Sequence, residues 1–358
     1  MRSFWAPMVH QLSPYTPGEQ PAVPGLIKLN TNELPFGPSP AVIAAIQAAA
    51  LDGLQLYPDP QSIALCDGLA RYHGLARDCV FVGNGSDEVL AHAFAALLQH
   101  DRPLLFPDVT YSFYPTYCRL FGITHETVPL NGAMQIDVAD YERPAGAIIL
   151  PNPNAPTGSA IGLAALERLL AAHPDAPVVI DEAYVDFGAH TAIPLIARHP
   201  NLLIVRTMSK SRGLAGLRVG YALGQPHLIE ALVRVKDSFN SYPLDRLAQA
   251  GALASLGDEP YFQRSLQTIV ANRAQLVQGL EALGFLLLPS SANFVFARHP
   301  GHSGAQLALA LRAARILVRH FNAPRIDSFL RITVGDAGQV QALLDALAVI
   351  LRDQAGNT

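Results

Sequence analysis

The stretch RTMSKSRGLAGLRVGYALG (206–224) contains the residue with the clearest chemical potential, Lys210. The chain has 25 Lys and Arg residues together, yet only three are lysines: Lys28, Lys210 and Lys236. Arginine stays protonated near neutral pH, whereas a desolvated lysine can lose its proton and attack a carbonyl carbon to form a Schiff base. Lys210 follows an apolar run that predicts a buried strand, so it is a candidate nucleophile, although by position alone it could also be an ordinary lysine.

Two stretches are typical of a phosphate site. Ser209 precedes the lysine and Arg218 follows it in a glycine-rich run, and hydroxyls with an arginine suit a phosphate monoester. In GNGSDEVL (83–90) a predicted strand ends in glycines and a helix begins at Ser86–Asp87. Free N–H groups and the helix dipole would then face an anion. Taken alone, such a turn is usually structural, and it does not match the dinucleotide pattern G-x-G-x-x-G.

Asp181 in VVIDEAY is the third candidate, because a carboxylate at the end of a buried strand is costly unless it is paired. It could hold a protonated ring nitrogen, bind a metal or satisfy a loop, and Tyr184 adds a phenol nearby. A metal is the least favoured of these, since no His or Cys cluster accompanies it. A Schiff-base lysine, a phosphate site and a carboxylate for a ring nitrogen together describe the requirements of pyridoxal phosphate.

The elements that must position these residues alternate between strands and helices. Residues 39–51 predict a helix with Ser39 as N-cap and Pro40 at its first position. Residues 79–99 read as strand, glycine turn and helix, and residues 162–173 as a helix. Runs rich in Val, Ile and Leu predict buried strands at 103–106, 146–153, 176–184 and 201–209. Continuous apolar strands separated by helices favour an α/β fold with a mainly parallel sheet buried on both faces.

The pattern changes after about residue 240. Residues 261–284 predict one long amphipathic helix, and the remaining segments read as an α+β layer of four strands and two further helices. The Pro-rich residues 1–35 predict an irregular arm. We therefore divide the chain into an N-terminal arm (1–38), a large domain (39–240) and a small C-terminal domain (241–358) that packs with the arm.

Composition excludes several classes of protein. Of the 358 residues, half are hydrophobic and 15% are charged, with a net charge of −4 and no basic tract, so a compact globular protein is expected and nucleic acid is not. No run approaches the roughly 20 apolar residues of a membrane span, and the N-terminus lacks signal-peptide features. Three widely spaced cysteines without a CxxC pair favour reduced thiols in the cytoplasm.

Motifs spread over nearly the whole chain carry a family resemblance. They are SPYTPGEQP, IKLNTNELPFGPSP, YPDP, GNGSDE, VTYSFY, PNPNAPTG, DEAYVDF, RTMSKSRGLAGLRVGY and LRITVG, in the family's order. The sequence is similar to the class II aminotransferases of fold type I that depend on pyridoxal phosphate, and among them to the histidinol-phosphate aminotransferases. The resemblance implies the fold-type I architecture, a large domain with a mainly parallel seven-stranded sheet between helices and a smaller α+β domain, and a homodimer with shared active sites.

The resemblance also implies roles by position. Lys210 would be the Schiff-base residue, Asp181 would pair with the pyridine nitrogen, Tyr184 would bond the phenolic oxygen of the cofactor and Tyr111 would stack on its ring. The same step assigns the phosphate site to Gly85, Ser86, Asp87 (mainly through its backbone N–H), Ser209 and Arg218, with Tyr57 reaching the phosphate bound by the partner subunit. Tyr111 could instead be a core tyrosine, and Tyr57 a turn residue.

One departure from the family pattern concerns the residue directly before PTG. The family often has an asparagine there that bonds the phenolic oxygen of the cofactor, whereas this chain has Ala155 and the nearest amide is Asn154. Either Asn154 takes that role through a local shift or Tyr184 acts there alone.

Two arginines near the C-terminus bear on the substrate. The resemblance places Arg331 of LRITVG on an α-carboxylate, makes Arg319 of ILVRHF a second substrate arginine, and closes Tyr15 of LSPY over the same corner. Arg319 could also be a surface strand residue.

The implied reaction transfers the amino group of L-histidinol phosphate to 2-oxoglutarate, giving imidazole-acetol phosphate and L-glutamate. Two other enzymes are alternatives on the same scaffold: an aromatic amino-acid aminotransferase and a threonine-phosphate decarboxylase. Two alternatives are not enzymes: a regulator that binds pyridoxal phosphate, and an α/β binding protein that does not bind it.

Overall fold

The computed structural model describes residues 4–355, and within them the strands form two sheets. The strands are β1 (Ile27–Leu29), β2 (Val80–Asn84), β3 (Leu104–Pro107), β4 (His125–Val128), β5 (Ala147–Pro151), β6 (Val178–Asp181), β7 (Leu202–Thr207), β8 (Val219–Gly224), β9 (Leu286–Leu288), β10 (Phe294–Arg298), β11 (Ile316–His320) and β12 (Phe329–Thr333).

The helices cover both faces of the first sheet and one side of the second. They are α1 (Pro40–Leu51), α2 (Ile63–His73), α3 (Gly85–Leu97), α4 (Tyr114–Phe121), α5 (Leu163–Ala172), α6 (Pro226–Phe239), α7 (Arg246–Gly257), α8 (Glu259–Ala282), α9 (Gly304–Ala313) and α10 (Ala337–Ala355). Within residues 4–355, none of the helices combines the length and the hydropathy that a transmembrane span requires.

The first sheet has seven strands in the order β2-β8-β7-β6-β5-β3-β4. The pairs among β3 to β7 are parallel, whereas β8 is antiparallel to both of its neighbours. Along β5 the side chains alternate between two cores: Ile148 and Leu150 face α1, α2, α5 and α7, while Ala147 and Ile149 face α3, α4 and α6. Burial on both faces is why these strands are continuously apolar, and the expected α/β fold with a mainly parallel sheet is confirmed.

The second sheet has five strands in the order β1-β11-β12-β10-β9, packed on α8, α9 and α10. The prediction that residues 1–35 are irregular is wrong for β1, which pairs in parallel with β11. Its three residues are too few to show an alternating pattern, and only the distant partner strand makes them a strand. No strand was expected at the end of the glycine-rich run after Lys210, where Val219–Gly224 forms the strand β8.

Local signals explain several boundaries. Ser39 caps α1 by accepting a hydrogen bond from the backbone N–H of Val42, with Pro40 at the first helical position, as predicted. The long helix predicted at 261–284 is α8. Because α7 contributes Ala248 and Ala252 to a core of the seven-stranded sheet, we propose that the two domains divide after Gly257 rather than at residue 240.

Candidate active site

A cavity of about 270 Å³ opens at the carboxyl ends of β5, β6 and β7 and at the N-terminus of α3. Parallel strands end there with their connecting loops, which is the usual place for a ligand in an open α/β sheet. The five-stranded sheet closes the other side through β11 and β12. The cavity brings together most of the residues selected from sequence: Tyr15, Ser86, Asp87, Tyr111, Asp181, Tyr184, Ser209, Lys210, Arg218, Arg319 and Arg331.

Lys210 lies three residues beyond β7. Its Nζ donates a hydrogen bond to the backbone carbonyl of Thr31 at 3.0 Å and lies 5.9 Å from the ring centroid of Tyr184. The other two lysines are held elsewhere: Lys28 pairs with Glu33, and Lys236 is buried among carbonyl groups that include that of Pro60. Lys210 is therefore the lysine that faces the cavity.

Asp181 ends β6 in a fully buried position. Burial raises the pKa of its carboxyl from 3.8 to about 6, against two hydrogen bonds that favour the ionised form. The hydroxyl of Tyr114 donates to Oδ2 at 2.9 Å, and the backbone N–H of Ala183 donates to Oδ1 at 3.2 Å. Such a carboxylate is poised to gain from a cation placed in the cavity.

The first turn of α3 meets Ser209 and Arg218 at one corner of the cavity. The Arg218 guanidinium donates to Asp87 at 3.0 Å, and the Tyr111 hydroxyl donates to the other oxygen of that carboxylate at 2.9 Å. The Ser209 hydroxyl is buried with no hydrogen-bond partner. Gly85 has a φ of +84°, and a Cβ there would lie 2.4 Å from Nη2 of Arg218, so only glycine allows the arginine to approach.

Tyr111 lies between this corner and the rest of the cavity. Burial raises the pKa of its hydroxyl well above the ordinary value, and Asp87 adds to the effect. Its ring meets that of Tyr114 edge to face at 5.6 Å and lies 6.3 Å from the ring of Tyr15, centroid to centroid. A rigid aromatic face of this kind could support a planar ligand.

Arg319 and Arg331 lie directly opposite each other on β11 and β12. Like charges in register destabilise a sheet unless an anion compensates them. Arg331 donates to the carbonyl of Asn30 at 2.8 Å, but its Nε is buried with no partner, and burial lowers the pKa of the guanidinium. The pair thus presents unused donor capacity to the cavity.

Three sequence-selected residues do not line the cavity: Gly85, Asn154 and Tyr57. Asn154 is fully buried, and its amide nitrogen donates to the Val109 carbonyl and to the Thr157 hydroxyl, both at 3.0 Å. These bonds hold the turn and leave Ala155 facing the cavity instead. Tyr57 is 80% exposed and stacks on Tyr242 in a hollow on the far side of Arg218.

Sequence reasoning missed the segment 30–32, which follows β1 and contacts three functional side chains in succession. The Asn30 carbonyl accepts from Arg331, the Thr31 carbonyl accepts from Lys210, and the Asn32 amide donates to Tyr184 at 2.9 Å. The signal in the sequence is the run of four polar residues, Asn-Thr-Asn-Glu at 30–33, directly after β1. Tyr114, the partner of Asp181, was missed as well, because a tyrosine among several gives no sign of its contact.

Comparison with known proteins decides the family. The family described as aminotransferase class I and II matches residues 24–347, most of the chain. This chain belongs to the class I and II aminotransferases. The aminotransferase is 62% identical over 355 residues to a histidinol-phosphate aminotransferase of Gluconacetobacter diazotrophicus, covering 99% of this chain and 100% of the relative. It is 59% identical to histidinol-phosphate aminotransferase 1 of Pseudomonas aeruginosa, covering 97% and 99%.

Solved structures of similar fold extend this comparison. The histidinol-phosphate aminotransferase of Sinorhizobium meliloti in complex with pyridoxal-5'-phosphate superposes on the aminotransferase with a TM-score of 0.87 at 26% identity, covering 99% of each chain. An aspartate aminotransferase of Thermus thermophilus has a TM-score of 0.80 at 22% identity over 98% of this chain and 100% of that one, a likeness of fold alone.

The side chains around the cavity fit pyridoxal phosphate. The unpartnered Ser209 hydroxyl, Arg218 and the first turn of α3 offer donors to a phosphate. Asp181 offers a buried carboxylate to a ring cation, and Lys210 offers an amine to an aldehyde. The aminotransferase thus has the three donor and acceptor groups that this cofactor requires on one cavity wall.

Proposed function

We propose that this aminotransferase interconverts L-histidinol phosphate and 2-oxoglutarate with imidazole-acetol phosphate and L-glutamate, as a step of histidine biosynthesis, with pyridoxal phosphate as its cofactor. The observation that carries the substrate assignment is the pair Arg319 and Arg331, opposite each other and open to the cavity. The names of relatives about 60% identical over nearly the full chain support it.

The proposed roles follow from the positions of the side chains. When bound, pyridoxal phosphate supplies a sink for the electron pair released at the α-carbon of the substrate. Lys210 would hold the cofactor and, once the substrate amine displaces it, would take up and return the α-proton at Nζ. Asp181 would keep the ring nitrogen protonated, and Tyr111 would support the ring face.

The arginine pair would hold both substrates in the same corner. Histidinol phosphate has a phosphate but no α-carboxylate, whereas glutamate has two carboxylates, so each half-reaction delivers a doubly charged anion. Guanidinium groups bind both kinds of anion in a bidentate manner. Arg331 would use its unpartnered Nε for this purpose, and Tyr15 would cover the corner from the N-terminal side.

We also propose a homodimer in which Tyr57 reaches the phosphate site of the partner subunit. Tyr57 is exposed beside Arg218, in a hollow that Leu54, Leu56 and Tyr242 also line. Exposed apolar side chains gathered beside a functional arginine are typical of an interface. A cytoplasmic location is consistent with three cysteines that form no disulfide.

A donor screen tests the proposed substrate. Purified protein with pyridoxal phosphate and 2-oxoglutarate should turn over histidinol phosphate with a kcat/KM at least tenfold above that for tyrosine, phenylalanine or threonine phosphate. Faster turnover of tyrosine or phenylalanine would assign the chain to aromatic amino acids instead. Release of CO₂ from threonine phosphate would make it a decarboxylase.

A further inference from the structure

Asn32 is a buried residue whose side chain lines the cavity. The family resemblance assigns it no role. Its backbone has a φ of +58°, in the left-handed region that asparagine tolerates better than most residues. The side chain donates through Nδ2 to the Tyr184 hydroxyl oxygen at 2.9 Å. Only 1% of Asn32 is exposed, so water does not compete for these contacts.

Thr333 fixes the direction of the Asn32 amide. The Thr333 hydroxyl oxygen accepts the backbone N–H of Asn32 at 3.0 Å, and the hydroxyl donates its own proton to Oδ1 of the same residue, also at 3.0 Å. Asn293 adds a third contact by donating to the Asn32 carbonyl at 3.0 Å. With Oδ1 committed to Thr333, Nδ2 must face Tyr184, and the phenol oxygen of Tyr184 is an acceptor in this contact.

An acceptor role for the Tyr184 oxygen leaves its own proton free to point elsewhere. The ring meets Phe294 edge to face at 5.1 Å, which limits its rotation, and Tyr184 lines the cavity. Ala155, which belongs to the apolar cluster against which Tyr184 packs, has no side-chain donor, and the Asn154 amide is used by Val109 and Thr157. In this part of the cavity, Tyr184 is therefore the residue that can donate a hydroxyl proton to a bound ligand.

We propose that Asn32 is a positioning residue, which turns the Tyr184 hydroxyl proton into the cavity and so makes Tyr184 the donor to the phenolic oxygen of pyridoxal phosphate. The inference rests on the proposed function, because it requires that cofactor. It explains how the chain manages without an asparagine at position 155. Asn154 keeps its structural bonds, and the donor is supplied from the N-terminal segment through Tyr184.

Several charged or titratable groups share this environment. Lys210 lies over the Tyr184 ring, and Arg331, Arg319, Tyr15 and Tyr111 approach from the strands and loops around it. Asp181, Asp87 and Arg218 line the same cavity. A test must therefore separate the hydrogen bond of Asn32 from a general change in charge.

The test uses the pH midpoint of the visible absorption change of the holoenzyme, together with the Kd for pyridoxal phosphate. The variant N32D keeps the shape of the side chain and the left-handed backbone but replaces the donor by a carboxylate that accepts the Tyr184 proton. We expect N32D and Y184F each to raise the midpoint by about one pH unit or more, since each removes a hydrogen bond to an anionic oxygen. N272D serves as the matched control. Asn272 lies on α8, and its buried side-chain amide donates to the Gly335 carbonyl instead of to a tyrosine.

The double variant N32D/Y184F decides the mechanism. If Asn32 acts through Tyr184, the second substitution adds little to the first, whereas independent effects add. A midpoint for N32D equal to that of the wild type would overturn the inference. Equal shifts from N32D in the wild-type and Y184F backgrounds would overturn it too, because the new carboxylate would then act by charge alone. A wild-type protein that shows no visible absorption with pyridoxal phosphate would instead refute the proposed function.

Discussion

The chain has only three lysines, so the proposed covalent role of Lys210 can be tested by finding which lysine carries the cofactor. Borohydride reduction of the holoenzyme should fix the cofactor to the peptide that contains Lys210 and leave those of Lys28 and Lys236 unlabelled, as measured by mass spectrometry. The two other lysines act as internal controls, because one is paired with Glu33 and the other is buried away from the cavity. Lys210→Ala should lower kcat on the order of 10³-fold and abolish the label. Label on either other lysine would contradict the assignment.

Asp181 should give the cofactor-free protein a specific pH dependence of stability. Folding raises the pKa of the carboxyl from 3.8 to about 6, so the folded state favours the protonated form. Stability from this group is therefore complete below about pH 4 and is lost as the pH rises through about 6, by about 3 kcal/mol in total. Asp181→Asn does not ionise, so urea unfolding should show the wild type losing stability relative to it between about pH 4 and 7.

Binding of pyridoxal phosphate should oppose this loss of stability in the wild type. A protonated ring nitrogen beside Asp181 compensates the buried charge, so the wild type should gain more stability from the cofactor than Asp181→Asn does. Equal gains for the two proteins near pH 7 would argue against the proposed pairing.

At the scale of elements, the close approach of β8 to α3 sets the geometry of the proposed phosphate site. A Cβ on Gly220 would lie 2.3 Å from the backbone nitrogen of Ser86 and 2.4 Å from the carbonyl carbon of Gly85. Gly220→Ala should therefore push the strand and the helix apart, at a cost of about 1–3 kcal/mol in folding and about tenfold or more in the Kd for pyridoxal phosphate.

The same glycine-rich run offers the control for this prediction. A Cβ on Gly216 would meet no atom within 4 Å, so Gly216→Ala should leave both quantities close to wild type. Absorbance titration with the cofactor and denaturant unfolding measure the two effects. Similar losses for both variants would mean that the run needs glycine for flexibility and not for close approach.

The elements show what sequence could and could not predict. The buried strands β5, β6 and β7 were predictable because they are continuous apolar runs, and the helices α1 and α8 were predictable from an N-cap and an amphipathic pattern. The strand β1 was not, since its hydrogen bonds come from β11 near the other end of the chain. At the site, Lys210 follows a strand, Asp181 ends one, and both have distinctive chemistry, whereas the contact of Asn32 with Tyr184 depends on the way two distant segments meet.

At the scale of the whole molecule, the exposed apolar side chains next to Tyr57 should mediate the proposed dimer. Leu56→Asp introduces a charge into the hollow that Leu54 and Tyr242 line. We expect the variant to be monomeric by light scattering and to have at least tenfold lower activity, because Tyr57 would no longer reach the partner's phosphate site. Leu309→Asp is the control, since Leu309 is also exposed but lies on α9 beside the small sheet. A dimeric Leu56→Asp protein would place the interface elsewhere. A monomeric wild type would contradict the proposed dimer.

The pairing of β1 with β11 also has a consequence for protein synthesis. The segment that contacts Lys210, Arg331 and Tyr184 leaves the ribosome early, attached to a strand whose partner is residues 316–318. Contacts between such distant segments form slowly, and here they can form only after residues 316–318 have been made. All strands of the seven-stranded sheet lie before residue 225, whereas the cavity wall that carries Arg319 and Arg331 needs β11 and β12. The ability to retain the cofactor and select a substrate should therefore arise only once residues 316–333 have been made.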